Sequence, residues 1–318
     1  MSRGPESGPL RLCFHGMSTH SKSSKQRLQA SRRGERLLNE GWLRSMTNVT
    51  WIGIGRMGWP MAVCVASTGH SLSVYDSAPD KRERARSYGM RTYSDPALAA
   101  EDADVTILCV KDGRAVDEAV FGSRGVARSM AQGGIIVDHG TMDPDECRAM
   151  ALRAQSHGLS WVDAPVSRHA LQNGEESLVS WLGGEQAAIT RVEPLLKQYI
   201  AELLPVGSSG AGQAVKCCNQ LIVAGSAALW DSTFELSQVF GITPLKLLRL
   251  LRNGAAGSPV RNLLEGGLER GEPVATIFAN AVKDLRTILH QAEKHRLPLT
   301  LAADAVAQLE RARDAKPI

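Results

Sequence analysis

No CxxC pair and no Cys/His ligand spacing occurs among the six cysteines, at positions 13, 64, 109, 147, 217 and 218. That argues against a zinc site, and no other metal is expected. Cys64 and Cys109 sit in apolar runs, where a buried free thiol is the simplest reading; a reduced, cytoplasmic setting fits. Long apolar runs are missing too. The most apolar stretch, LIVAGSAALW at 221–230, falls well short of the ~20 residues a bilayer span needs, so no membrane association is expected. Charge is modest: 37 Lys/Arg stand against 33 Asp/Glu in 318 residues, a net +4. Residues 1–45 alone carry nine Lys/Arg and three Asp/Glu, which leaves −2 for the remaining 273. A nucleic-acid footprint on the folded body is therefore not expected.

Residues 1–47 read as a disordered basic tail, rich in Ser, Arg and Gly and without an apolar period. Organellar leaders share that composition, but Glu6, Glu35 and Glu40 weaken the comparison, and no secretory apolar core is present. From Asn48 the chain becomes regular. VTWIGIG (49–55), SLSVYD (71–76), DVTILCV (104–110) and GIIVD (134–138) are apolar runs of the buried-strand type, each followed by a helical stretch. Further strands are expected at 159–166, 178–182 and 203–206, with a helix at 185–199. That alternation predicts βαβ units on a largely parallel sheet. Beyond the glycine-rich GSSGAG at 207–212 only helices are expected, at 213–240, 243–253, 258–269, 274–296 and 299–315. The expected fold class is α/β: a Rossmann-like dinucleotide-binding domain over 48–208, then an all-α substrate and oligomerisation domain over 209–318.

Gly53-Ile54-Gly55-Arg56-Met57-Gly58 is a GxGxxG sequence in the required context, after a buried strand and at the start of a helix. Gly53 permits the tight turn, Gly55 lets the backbone approach a pyrophosphate, and Gly58 lets helix and strand pack closely. The helix N-terminus offers N–H groups and a positive dipole end to the phosphates. Asp76 ends the second strand, 18 residues after Gly58, where a carboxylate accepts hydrogen bonds from the adenosine ribose and repels a 2′-phosphate. NAD is thus expected over NADP, although Lys81 and Arg82 just downstream would soften the preference. Lys216 lies in an otherwise apolar helix, AVKCCNQLIVAG. Burial would lower its pKa toward neutrality, which suits proton transfer at a carbinol oxygen. On spacing alone a snorkelling surface lysine explains it equally well.

Taken together, IGIGRMGWPMA (52–62), VYDSAPD (74–80), FGSRGVA (121–127), VDHGTMDP (137–144), DAPVS (163–167), GAGQAVKCCNQ (210–220) and VKDL (282–285) resemble the β-hydroxyacid dehydrogenase family. That family includes 3-hydroxyisobutyrate dehydrogenases, tartronate semialdehyde reductases and 6-phosphogluconate dehydrogenases. The resemblance covers about 48–315. It implies a Rossmann-like domain followed by a helical one, with substrate between them. It makes Lys216 the catalytic lysine, base when an alcohol is oxidised and acid when an aldehyde is reduced. It implies that Asn219 bonds the substrate hydroxyl, that Val110, Lys111 and Lys283 line the cofactor cleft, and that Asp284 accompanies Lys283 at the substrate. Gly140, Thr141, Ser167 and Arg168 fall where the family binds the substrate carboxylate.

Three departures bear on the substrate. The family's D-x-S-T reads Asp138-His139-Gly140-Thr141 here, so one serine hydroxyl is missing. The family's Gly-Gly after DAPVS is replaced by Arg168-His169, and Asn219 is followed by Gln220 where many members carry a second asparagine. Arg168 could supply the missing anion-binding charge, with His139 assisting if protonated. The expectation is an NAD(P)-dependent dehydrogenase, forming a homodimer or homotetramer, that moves a hydride between NAD and a small anionic 3-hydroxy acid or its semialdehyde. The alternatives are a reductase of a different carbonyl or imine, and a catalytically silent NAD-binding interaction protein.

Overall fold

The computed structural model describes residues 48–170 and 176–314. The expected basic tail, 1–47, lies outside the described residues. The chain divides into two compact units, one ending at Gln213 and one running from Ala214 to Ile318.

The first unit is a Rossmann-like α/β sandwich. Its strands are β1 (Asn48–Ile52), β2 (Ser71–Tyr75), β3 (Arg91–Thr92), β4 (Val105–Leu108), β5 (Ile135–Asp138), β6 (Ser160–Asp163), β7 (Val166–Ala170), β8 (Glu176–Gly184) and β9 (Glu202–Gly207). They form one sheet in the order β3-β2-β1-β4-β5-β6-β8-β7, with β9 on β8. β1 to β6 are parallel; β8 runs antiparallel to β6 and to β7. Successive side chains leave opposite faces of the sheet. Val49, Trp51, Ile107 and Val137 therefore pack against the helices Gly58–Ser67 and Gln186–Leu196 on one face. Ile52, Leu108, Ile136 and Trp161 meet Gly113–Phe121 and Pro144–Ser156 on the other. Each such aliphatic side chain contributes ~1.5–3 kcal/mol by leaving water. Burial on both faces explains why these strands read as unbroken apolar runs.

Two expectations are corrected, and one strand and one short helix are added. The strand expected at 159–166 is two, because Ala164-Pro165 interrupts it. A proline nitrogen has no hydrogen for the ladder. The short strand β3, with its neighbouring helix Pro96–Ala99, carries too few residues to show a period. The helix expected at 274–296 breaks at Phe278–Asn280 into Val274–Ile277 and Ala281–Lys294, although neither glycine nor proline marks the break. There the backbone turns on Phe278, at φ −110° and ψ 42°.

The second unit is helical. Helix Ala211–Val239 brings the chain into it, and Pro244–Leu250, Pro259–Glu269, Val274–Ile277, Ala281–Lys294 and Thr300–Asp314 follow. Ala224, Ala227, Trp230 and Phe234 pack with Leu248, Leu264, Leu285, Ile288 and Leu309. Arg261 is buried there without being orphaned: it bonds Glu265 at 2.8 Å and the Leu248 carbonyl at 2.7 Å.

Candidate active site

The strand order reverses between β1 and β4, and in open parallel sheets ligands bind outside the carboxyl ends of the strands at that reversal. The GxGxxG segment leaves β1 there. Gly53 takes φ +91°, and a Cβ on it would lie 2.5 Å from the Cys109 carbonyl oxygen. A Cβ on Gly58 would lie 2.1 Å from the Gly53 oxygen. Both glycines are thus demanded by the protein's own packing. Gly55 is different, since a Cβ there would meet nothing within 4 Å. The protein itself gives no steric reason for a glycine at 55, whereas a pyrophosphate lying against the backbone does. The following helix, Gly58–Ser67, has no side-chain cap at its N-terminus, which leaves that end to an anion. The residues present therefore fit a dinucleotide.

Asp76 lies one residue past β2 and is buried. Its carboxylate accepts the Ile54 N–H and the Ala78 N–H, both at 2.9 Å, and meets the Lys81 ammonium at 3.5 Å. It therefore ties the second residue of the glycine loop to the end of β2. Arg82 bonds the Asp76 carbonyl at 2.5 Å. Arg56 is exposed and Met57 half-buried.

Val110 and Lys111 follow β4 and Gly140 and Thr141 follow β5, on the same carboxyl edge; Lys111 is exposed beside Asp112. Asp163 of β6 pairs with Gly183, so the seven residues of β8 before it run on past that edge, and β7 pairs along them. This pair of strands runs on past the end of β6, with β9 paired along Val179–Gly183. It carries Ser167, half-buried, and Arg168, exposed.

His139 is not available to a substrate, which corrects the expectation that it assists there. The ring is buried, with Nδ1 at 2.6 Å from the Ala164 carbonyl and Nε2 at 2.8 Å from the Tyr199 hydroxyl. A carbonyl only accepts, so Nδ1 carries the proton and Nε2 accepts from Tyr199. Burial pushes the imidazole down to about 4, and it is neutral at physiological pH.

In the second unit, Lys216, Asn219 and Gln220 fall at i, i+3 and i+4 on one face of Ala211–Val239. Lys216 is 7% exposed. Burial lowers its pKa to about 8, against the opposing attraction of Asp284, while Lys283 lowers it further. The Asn219 amide donates to Gln220 Oε1 at 2.9 Å, and Gln220 donates to Asp284 at 2.6 Å. Asp284 is buried and meets the half-exposed Lys283 ammonium at 3.3 Å. Lys216, Asn219, Lys283 and Asp284, four expected site residues some 65 residues apart in two pairs, therefore form one cluster in this unit.

Gln220, which the sequence marks only as a departure from the family's second asparagine, joins that cluster. Sequence reasoning missed two further polar residues. Asp163, buried at the end of β6, accepts the Gly210 and Gln213 N–H groups at 2.8 and 3.0 Å and so caps the start of Ala211–Val239; burial raises its pKa. Gln213 is fully buried beneath the Gly140 loop. Asp163 and Gln213 stand inside segments that carry the family resemblance, and nothing in local spacing distinguishes them. Among the described residues no group of three or more His, Cys, Asp or Glu is arranged to hold a metal, and no helix is long and apolar enough to cross a membrane.

A glycine-loop Rossmann unit followed by a helical unit is the architecture of a dinucleotide-binding protein. Residues 48–233 match the NAD-binding domain of 6-phosphogluconate dehydrogenase, and residues 210–317 match the NAD-binding family of NADP-dependent 3-hydroxyisobutyrate dehydrogenase. The chain belongs to this β-hydroxyacid dehydrogenase family. An uncharacterized oxidoreductase of Shewanella frigidimarina is 33% identical over 218 residues, 67% of this chain and 74% of the relative. The 2-hydroxy-3-oxopropionate reductase of Escherichia coli is 31% identical over 66% of this chain and 72% of its own. The crystal structure of 3-hydroxyisobutyrate dehydrogenase from Salmonella typhimurium superposes with a TM-score of 0.73 at 25% identity, over 85% of this chain and 95% of that one.

Proposed function

We propose that the protein is an NAD-dependent dehydrogenase of a small 3-hydroxy acid, or reductase of its semialdehyde, with Lys216 as general base and acid. The observation that carries this reading is Lys216 itself, a lysine buried in an apolar helix with its pKa lowered to about 8. Bound NAD supplies the hydride acceptor. The chain's own part is to bind, orient and move a proton. Neutral Lys216 takes the hydroxyl proton in oxidation, and its ammonium returns it in reduction. Asn219 bonds the same substrate oxygen, held in place through Gln220 and Asp284. Gly53 to Gly58, Val110, Lys111 and Lys283 form the nucleotide's surroundings; Gly140, Thr141, Ser167 and Arg168 hold the substrate carboxylate.

A spectrophotometric screen of short 3-hydroxy acids with NAD and with NADP, following reduced nucleotide, tests the reading directly. No turnover with either nucleotide would refute it. The pH dependence is a second check. Oxidation needs the unprotonated lysine, so its rate rises with pH and levels off above about 8. Reduction needs the protonated lysine and falls above the same value. An enzyme whose two directions share one flat profile from pH 6 to 9 does not use Lys216 in this way.

Asp76 supports NAD over NADP. Asp76→Ala is expected to weaken NAD binding by ~1.5–3 kcal/mol, the scale of hydrogen bonds to a charged group, and to shift preference toward NADP. Nucleotide titrations of both proteins decide it; a wild type that already prefers NADP refutes the assignment.

Arg168 supports an anionic substrate, since a planar guanidinium meets a carboxylate with two parallel hydrogen bonds. Arg168→Ala is expected to raise KM roughly tenfold or more with kcat little changed, and Arg168→Lys to recover only part. Higher activity in Arg168→Gly would instead identify the arginine as a steric block.

The reading extends to a homodimer. Ile222, Leu229 and Leu236 are exposed at seven-residue spacing on Ala211–Val239, with Val239 and Phe240 beyond them. Such an exposed apolar stripe fits a second copy better than water.

A further inference from the structure

Gln213 is a fully buried side chain with both ends of its amide engaged by one loop. Its Nε2 donates to the Gly140 carbonyl at 3.0 Å, and its Oε1 accepts the Met142 N–H at 3.2 Å. Those two backbone groups flank Thr141, so the peptide planes on both sides of Thr141 are fixed by one planar group. The loop is held from a second direction as well, because the Gly140 N–H donates to Asp138 Oδ1 at 2.8 Å. Gln213 is itself anchored, its own N–H lying 3.0 Å from Asp163 Oδ2. A Cβ on the neighbouring Gly212 would lie 2.8 Å from that carboxylate oxygen and 2.3 Å from the Trp181 carbonyl, so the first helical turn seats tightly there.

A primary amide is the side chain suited to this place. It donates to a carbonyl and accepts from an N–H through one rigid plane. A carboxylate would set a lone pair against the Gly140 oxygen. A methionine would fill the space and leave a buried carbonyl and a buried N–H unpaired.

We propose that Gln213 is a positioning residue for substrate: it sets the Gly140–Thr141 backbone, and with it the carboxylate-holding groups. This rests on the hydroxy-acid reading above. Gln213→Met and Gln213→Glu separate it from a purely structural role. Both should raise KM for the hydroxy acid ~10-fold or more at neutral pH, with the NADH dissociation constant, read by fluorescence, within twofold of wild type. Hydrogen exchange of a peptide spanning 139–143 should quicken in both variants. As pH falls, the carboxylate introduced by Gln213→Glu takes up a proton and regains a donor for the Gly140 oxygen. The KM defect of that variant therefore shrinks relative to wild type, while that of Gln213→Met does not. An unchanged KM, or nucleotide affinity falling in step with KM, overturns the proposal alone. A wild type silent toward every hydroxy acid with either nucleotide overturns the functional reading and this proposal together.

Discussion

Lys216→Met is expected to cut turnover at neutral pH by ~10²–10⁴, the usual loss of a general acid–base, while leaving NADH affinity nearly intact. The same substitution should stabilise the fold. Burial lowers the pKa of Lys216 from 10.5 to about 8. A proton held less tightly in the folded than in the unfolded chain is a cost to folding. That cost is fully present below pH 8 and disappears above about 10.5. Each unit is worth ~1.4 kcal/mol, so at pH 7 methionine should gain on the order of 3 kcal/mol, read as a higher Tm. The gain should shrink as the pH is raised toward 10. A protein whose fold is strengthened by losing its reactive group shows the usual conflict between stability and a functional buried charge. Turnover within tenfold of wild type would show that the proton is handled elsewhere, and an unchanged Tm would mean that the ammonium stays solvated.

Gly53→Ala and Gly55→Ala, two residues apart, should fail in opposite ways. At Gly53 the new Cβ meets the Cys109 carbonyl at 2.5 Å in a backbone at φ +91°. Strain of this kind costs ~1–3 kcal/mol before the clash is counted, and Tm should fall by many degrees. At Gly55 the Cβ meets no protein atom within 4 Å. Tm should hold to within ~2 °C of wild type, yet NADH affinity should drop ~10-fold or more, because the methyl occupies the space expected for the pyrophosphate. Calorimetry and a nucleotide titration on the two variants measure both. Tight nucleotide binding by Gly55→Ala would place the phosphates elsewhere.

Much of the α/β unit was legible from residues 48–138. β1, β2, β4 and β5 are buried on both faces, so hydrophobic runs and positions of pairing coincide. Helix caps were equally local: Asp143 accepts the Asp145 N–H at 2.7 Å, one residue before Pro144 opens its helix. The β7–β8 hairpin was less legible, because a strand beyond the sheet edge carries a mixed pattern such as VSRHA, and Pro165 hides its start. The break at Phe278–Asn280 left no local mark at all.

Local chemistry alone determined that a glycine-rich turn follows a buried strand, that an acid ends the next strand, and that a lysine stands in an apolar helix. Each is a statement about neighbours within ~20 residues, where composition and period carry the information. Only the tertiary structure decided what those groups face. His139 reads as a polar residue in a catalytic stretch, yet both ring nitrogens are satisfied inside the protein by partners 25 and 60 residues away. Gln213 reads as one more helix former, yet its amide closes on a loop about 70 residues earlier. Of the three glycines in the motif, only contact with distant backbone separates the two that the fold requires from the one left facing open space. A buried polar group must find a partner, but the sequence around it does not say which distant carbonyl or hydroxyl that partner is.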